Sequence, residues 1–209
     1  MKSAAAREAL DVFLSALALV ILSPVLFAIV IAILCETGRP VFFAQNRVGR
    51  NGKLFRLVKF RSMRQGNAGP SITARGDSRI TRVGGILRKF KLDELPQFWN
   101  VVRGDMSIVG PRPEVPQFVD TSNPVWRSVL SVRPGITDPA SVAYRNEEEL
   151  LAKATDRIRF YEETILPAKL AMNIEYIQKR SLWEDVKVIA RTAKCTVFPA
   201  ELDIKETGV

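Results

Sequence analysis

Histidine is absent from the 209-residue sequence. That absence excludes Ser-His-Asp and Cys-His triads, histidine-ligated zinc and imidazole acid–base catalysis. Cysteine is scarce as well. Cys35 and Cys195 stand far apart, too few for a thiolate metal cluster and unsuited to a disulfide framework, which fits a reducing compartment. Acidic residues are in deficit, 22 Asp and Glu against 31 Lys and Arg, for a net charge of +9. An enzyme built from this chain must therefore work through carboxylates, Lys, Ser, Cys or a metal held by oxygen. With 47% hydrophobic residues the composition supports one packed domain of ordinary size and gives no sign of disorder.

What the sequence has in excess is an uncharged run from Val12 to Cys35, 24 residues of which 16 are Leu, Ile, Val or Phe. As a straight helix it measures about 36 Å, against about 30 Å of bilayer hydrocarbon. Its aliphatic side chains favour insertion by about 5–10 kcal/mol. The run is too long for a secretory signal, no small-x-small site follows it, and bulky Leu34 before Cys35 argues against lipoprotein processing. Near its midpoint Pro24 lacks an N–H and clashes with the Val20 carbonyl, so a helix kinks there at a cost of about 3 kcal/mol, less than insertion gains. The Ser23 hydroxyl is placed to satisfy a carbonyl that the kink frees. Each half is only about 18 Å long, so two geometries fit: a kinked span, which is the commoner object, and a re-entrant hairpin. Lys2 and Arg7 precede the run while Arg39, Arg47 and Arg50 follow it, and this charge pattern separates neither.

The positive charge is concentrated just behind that run. Between Arg39 and Lys91 there are 14 Lys and Arg and a single acid, Asp77, a local balance of +13 that leaves the rest of the chain at −4. Such a block reads first as a surface facing anionic lipid, second as a phosphate pocket, and last as a nucleic-acid site, for which no motif is present. Within it, Val41–Gln45 and Lys53–Arg61 read as two strands joined through the hairpin signal Asn51-Gly52. Lys59 shares a strand face with Leu57, which hints at a partner for its ammonium. Next, Ile86, Leu87, Phe90 and Leu92 suit a helix over apolar material. Asp93 and Glu94 before Pro96 then read as an N-cap and a helix-end charge for a new helix through Phe98, Trp99, Val101 and Val102. The same two carboxylates also lie between Arg88, Lys89 and Lys91 and the cations Arg103 and Arg112, which sit by tight turns at Gly104-Asp105 and Gly110-Pro111-Arg112-Pro113. Carboxylate, cations and a helix N-terminus together suit a phosphate-bearing substrate with Mg²⁺.

Four stretches in order, the Pro-broken run with Ser23-Pro24, FRLVKFRSM at 55–63, LDELPQFWNVVRGDMSIVGPRPE at 92–114 and VRPGITDPASVAYRN at 132–146, carry a resemblance. On these residues the chain resembles the monotopic phosphoglycosyl transferases, the bacterial sugar transferase family that starts lipid-linked glycan synthesis. The resemblance implies an α+β, mostly helical fold. A Pro-kinked re-entrant membrane helix would occupy 1–38; a small β-hairpin and interfacial helices would surround a cytoplasmic active site in 39–200; a polar tail would fill 201–209. It thereby favours the re-entrant geometry over the kinked span. It also implies transfer of sugar 1-phosphate from a UDP-sugar to polyprenyl (undecaprenyl) phosphate, with release of UMP, at the bacterial inner membrane and on its cytoplasmic face.

In that reaction Asp93 would be the nucleophile, forming a phosphosugar–aspartyl intermediate, and a ligand of Mg²⁺. Glu94 would orient Mg²⁺ or assist the lipid phosphate. Lys59 and Arg112 match active-site positions of the family, Arg88 would contact phosphate, and Arg133 and Arg145 would face the nucleotide. The partners implied are the UDP-sugar, the polyprenyl phosphate and membrane lipids, with a homodimer left open and nucleic acid excluded. The chemistry is coherent: a carboxylate is ionised at neutral pH and needs no histidine base, while its attack on a polyanion requires cations. One departure stands out, because many members carry Gly-Leu after the RPGIT motif where this chain has Asp138-Pro139.

Beyond the motifs, Glu147 to Ile177 reads as helices broken near Pro167. Leu182 to Val197 reads as a helix whose stripe of Leu182, Val186, Ile189 and Ala193, with Trp183 beside it, faces either a core or a bilayer interface. The residues from Glu201 read as a polar, loose tail. Two other functions fit the charge pattern: a non-catalytic module that binds anionic membranes, and a glycosyltransferase that releases UDP.

Overall fold

Pro24 determines the shape of the N-terminal third. In the computed structural model, which describes residues 2–64 and 77–197, helices α1 (Lys2–Ile21) and α2 (Ser23–Thr37) meet at a 61° bend. Pro24 stands in the first turn of α2, where it has no N–H to give the Val20 carbonyl; the Ser23 hydroxyl donates to that oxygen instead, at 2.7 Å. Among the described residues no single helix is long and apolar enough to cross a membrane, whereas the bent pair together has the length and composition. The tail from Glu201 lies outside the described residues.

After a corner at Gly38, strands β1 (Phe42–Val48) and β2 (Leu54–Phe60) form an antiparallel hairpin in which Phe43 faces Lys59. The connection is longer than the Asn-Gly signal implied. It runs from 49 to 53 around a 3-10 turn, with Asn51 and Gly52 both at positive φ, 57° and 77°. The first strand accordingly continues to Val48, whose N–H pairs with the Glu114 carbonyl at 3.0 Å. Helix α3 (Arg82–Lys89) is capped by Thr81 and buries Leu87 against Phe60 of the hairpin and Ile29 and Ile33 of α2. Ile86 faces outward, so only part of the apolar stripe expected here reaches the core.

Lys91 then takes a left-handed conformation, φ 55°, which swings the chain into a 3-10 turn, Leu92–Glu94, and on to α4 (Gln97–Val102). Strands β3 (Ser107–Val109) and, after α5 (Pro124–Val129), β4 (Gly135–Thr137) pair in parallel. Their backbones nearly touch beside the pair: a Cβ on Gly135 would stand 2.1 Å from the Gly110 nitrogen, so glycine is required there. The C-terminal half is helical, with α6 (Pro139–Ala143), α7 (Glu147–Lys153), α8 (Arg157–Phe160), α9 (Leu166–Lys179) and α10 (Leu182–Val197). Val115, Phe118, Trp126, Val129, Leu151 and Ile165 form its core. The architecture is α+β and mostly helical, with one small antiparallel hairpin.

One reading of this half needs correction, and an open alternative is decided. Pro167 does not break the helix, because a π turn at Tyr161–Ile165 precedes it and Pro167 falls in the first turn of α9, where its missing N–H costs little; the chain breaks instead at 154–156. The stripe on α10 does not face the core. Leu182, Val186 and Ile189 are exposed, Trp183 is 67% exposed, and the buried side of the helix is Asp185, Val188 and Cys195.

Candidate active site

Asn100 locks the hairpin to the carboxylate turn. It is fully buried in α4; its Oδ1 accepts the Val58 N–H at 3.0 Å and its Nδ2 donates to the Arg56 carbonyl at 2.8 Å, as a neighbouring strand would. Lys59, one residue beyond, is thereby fixed beside the turn that carries Asp93 and Glu94. Its Nζ donates to Glu94 Oε1 at 2.9 Å. The partner suggested by the strand pattern is therefore Glu94.

Both carboxylates are buried, Asp93 at 5% and Glu94 at 8% exposure. Arg112 donates Nη1 to Glu94 Oε2 at 3.1 Å and Nη2 to Oε1, a forked pairing. Burial alone would raise the Glu94 carboxyl, but Arg112 and then Lys59 hold it well below its ordinary range. Asp93 is shifted the other way. Burial raises it, Lys59 opposes that, and the charge of Glu94 adds to the rise. Burial lowers the Lys59 ammonium, with Glu94 restoring part of the loss. Asp93 Oδ1 is buried with no hydrogen-bond partner among the described residues. The N-cap reading of Asp93 thus fails: the N-cap position of α4 is Pro96, with no side-chain capping bond.

These residues line a cavity of about 790 Å³. Lys59, Arg88, Asp93, Glu94, Arg112 and Arg145 are brought together on its walls. Arg88, at the end of α3, pairs with Glu148 of α7. Arg133 does not reach the cavity. It lies under Gly104 and pairs with Glu8 of α1 at 3.0 Å, tying α1 to the loop before β4 rather than standing at the nucleotide-facing position expected for it.

Sequence reasoning missed a second polar wall. Tyr161 donates to Glu114 Oε1 at 2.6 Å, and buried Lys169 pairs with Glu147 at 3.0 Å and Glu114 at 3.6 Å, all on the same cavity. Glu114 closes the GPRPE run and was the one available signal. Tyr161 and Lys169 carry none, since they come from the helical half. Asp138 was also missed as a contact. It is fully buried, it caps α6 by accepting the Ser141 N–H at 2.5 Å, and its other oxygen accepts the Arg112 N–H at 2.8 Å.

A buried carboxylate with an unmatched oxygen is thus set among lysine and arginine in a roomy cavity. The bacterial sugar transferase family model matches residues 2–199, and the chain belongs to that family. It is 38% identical over 193 residues to an Aeromonas hydrophila protein named UDP-N-acetylgalactosamine-undecaprenyl-phosphate N-acetylgalactosaminephosphotransferase, covering 90% of this chain and 43% of that one. It is 38% identical over 191 residues to the Caulobacter vibrioides UDP-glucose:undecaprenyl-phosphate glucose-1-phosphate transferase, covering 89% of this chain and 67% of the relative. A Sinorhizobium fredii exopolysaccharide production protein is 32% identical over 203 residues, 89% of this chain and 83% of its own length. The chain thus spans less than half the length of the first of these relatives.

Proposed function

We propose that the chain transfers sugar 1-phosphate from a UDP-sugar to undecaprenyl phosphate through a covalent intermediate on Asp93. The observation that carries this reading is the division of labour between the two buried carboxylates. Glu94 is committed to Lys59 and Arg112, while Asp93 keeps a buried oxygen unpaired. That oxygen attacks the β-phosphorus of the UDP-sugar, the bond from this phosphorus to the bridging oxygen breaks, and UMP leaves with the electron pair. An oxygen of the polyprenyl phosphate then attacks the same phosphorus, and Asp93 departs as a carboxylate. Lys59, Arg88 and Arg112 neutralise the charge of the phosphates through both steps.

The residues suit Mg²⁺. Asp93, whose buried Oδ1 has no hydrogen-bond partner among the described residues, offers one of the one or two carboxylates that this ion commonly takes with waters and substrate phosphates. Asp93 would supply the protein oxygen, and the ion, when bound, would neutralise phosphate charge. A membrane location with both ends of the bent pair on one side is supported by where those ends attach. Before the apolar run, Glu8 pairs with Arg50 and Arg133, Arg7 with Asp185, and Asp11 accepts from Ser107. After it, Glu36 accepts the Arg82 and Val83 N–H groups at 2.7 and 2.9 Å, and Arg61 donates to the Gly38 carbonyl at 2.7 Å. Both arms end on the body that holds the carboxylates, as a re-entrant wedge requires and a span does not. The exposed Leu182, Trp183, Val186 and Ile189 of α10 suit a helix lying in the interface of the cytoplasmic leaflet.

The test is to incubate the purified protein with a panel of UDP-sugars, Mg²⁺ and undecaprenyl phosphate, and to identify the nucleotide released. UMP is expected. UDP would indicate a glycosyltransferase. Silence across the panel, with salt-sensitive vesicle binding unaffected by Asp93→Asn, would indicate a membrane-binding module.

A further inference from the structure

Arg112 reaches Glu94 from a turn with little freedom of its own. Pro111 and Pro113 flank it and fix their own φ. The turn is tied to the neighbouring segment by Gly110 N–H to the Thr137 carbonyl and Gly135 N–H to the Pro111 carbonyl, both at 3.0 Å. Arg47 donates Nη1 to the Pro113 carbonyl at 3.1 Å, and a further link reaches the backbone of Arg112 itself from a carboxylate. The two oxygens of fully buried Asp138 are divided between two backbone donors, the Ser141 N–H that opens α6 and the N–H of Arg112 itself. We propose that Asp138 is a positioning residue for the phosphate-transfer site: its carboxylate holds the backbone of Arg112 so that the guanidinium meets Glu94 and the substrate's phosphate oxygens at a fixed distance.

A capping role alone does not account for this arrangement. One oxygen is enough to cap a helix, and a serine hydroxyl caps about as well as a carboxylate. Only a group with two acceptors can cap α6 and hold Arg112 at once. The two roles therefore separate on substitution. Asp138→Ser keeps one acceptor at the helix start and loses reach to Arg112. Asp138→Asn keeps the volume and one acceptor, but its NH₂ cannot accept the second N–H.

The inference rests on the transferase reading, and its test keeps the two apart. Turnover of UDP-sugar, KM and thermal melting are measured for Asp138→Ser and Asp138→Asn, alone and combined with Arg112→Lys. The expected result is a fall in kcat of about 10- to 100-fold with little change in KM or in melting, because a small misplacement of a charge-stabilising group costs on this scale. In the Arg112→Lys background the further loss from Asp138→Ser should shrink to within about 3-fold, the coupling that contacting residues display. Wild-type kcat in both variants overturns the proposal. So does a melting loss with kcat per folded molecule unchanged, which is capping alone, or losses that multiply fully with Arg112→Lys. Full turnover by Asp93→Asn would instead sink the transferase reading, whereas an inactive Asp93→Asn beside a normal Asp138→Ser sinks only this inference.

Discussion

Asp93 and Glu94 are neighbours in the chain and both are buried, yet their surroundings push their ionisation in opposite directions. The cause lies across the cavity. Arg112 and Lys59 converge on Glu94, while Asp93 receives a weaker share of Lys59 and feels the negative charge of Glu94. Paired carboxylates driven apart in this way are the usual mark of divided chemical roles.

Asp93→Asn should lose turnover by on the order of 10⁴-fold or more, the scale seen when a nucleophile is removed. Its melting temperature should also rise relative to the wild type as pH climbs above 3.8. Burial raises the Asp93 carboxyl, so its contribution to stability is complete below the unfolded value and is lost as pH rises through the folded one. Asparagine never ionises and escapes that loss. The gap should close as the pH falls toward 4 or so, and equal melting curves across the range would contradict it.

Glu94→Gln should behave in the reverse sense. The lowered carboxyl of Glu94 contributes stability that is present above 4.5 and lost as pH falls through the folded value. At neutral pH the variant leaves two half-buried cations without their shared carboxylate, a cost of about 1–3 kcal/mol by chemical denaturation. That deficit should diminish in acid. A variant as stable as wild type at neutral pH would show that the fork from Arg112 carries no weight.

The pH profile of kcat/KM should be a bell narrower than free side chains would give. Its acid limb should lie above 3.8, where Asp93 must lose its proton, and its alkaline limb below 10.5, where half-buried Lys59 loses its own. Lys59→Arg keeps a cation that does not titrate, so the alkaline limb should move out of range in whatever activity remains. An unmoved limb would assign it to another group.

Topology has a direct check by thiol labelling. Ala5 is exposed on the first turns of α1. In inverted and right-side-out vesicles, Ala5→Cys in a Cys35→Ser, Cys195→Ser background should react from the same face as a cysteine placed on the body that carries Asp93. Labelling from the opposite face only would establish a span.

The parts of the fold readable in advance were those whose causes are local. The bend at Pro24 and its repair by Ser23 involve residues within four positions of one another, and Asn51-Gly52 takes its left-handed turn in the manner its side chains dictate. Lys59 was flagged because alternation along one strand is also local, although its partner lies 35 residues away. What could not be read depended on distant groups. Asp93 satisfied every local rule for a helix cap, yet the 3-10 turn Leu92–Glu94 carries the start of α4 on to Pro96, and the role left to Asp93 is set by how Lys59 and Arg112 surround its neighbour. Arg133 was assigned to the nucleotide because it sits in a motif, whereas Glu8, far earlier in the chain, claims it. The parallel β3–β4 pair was invisible because three-residue strands leave no periodicity to detect.

The clasp formed by Glu8 and Asp11 on one arm and Glu36 on the other has a mechanical consequence. In the proposed re-entrant placement, a bent pair gripped at both ends by the body beneath it cannot tilt or sink alone. Thinner or thicker leaflets would then raise or lower Asp93 together with the pair, making the height of that carboxylate above the acyl chains a property of the lipid as much as of the protein.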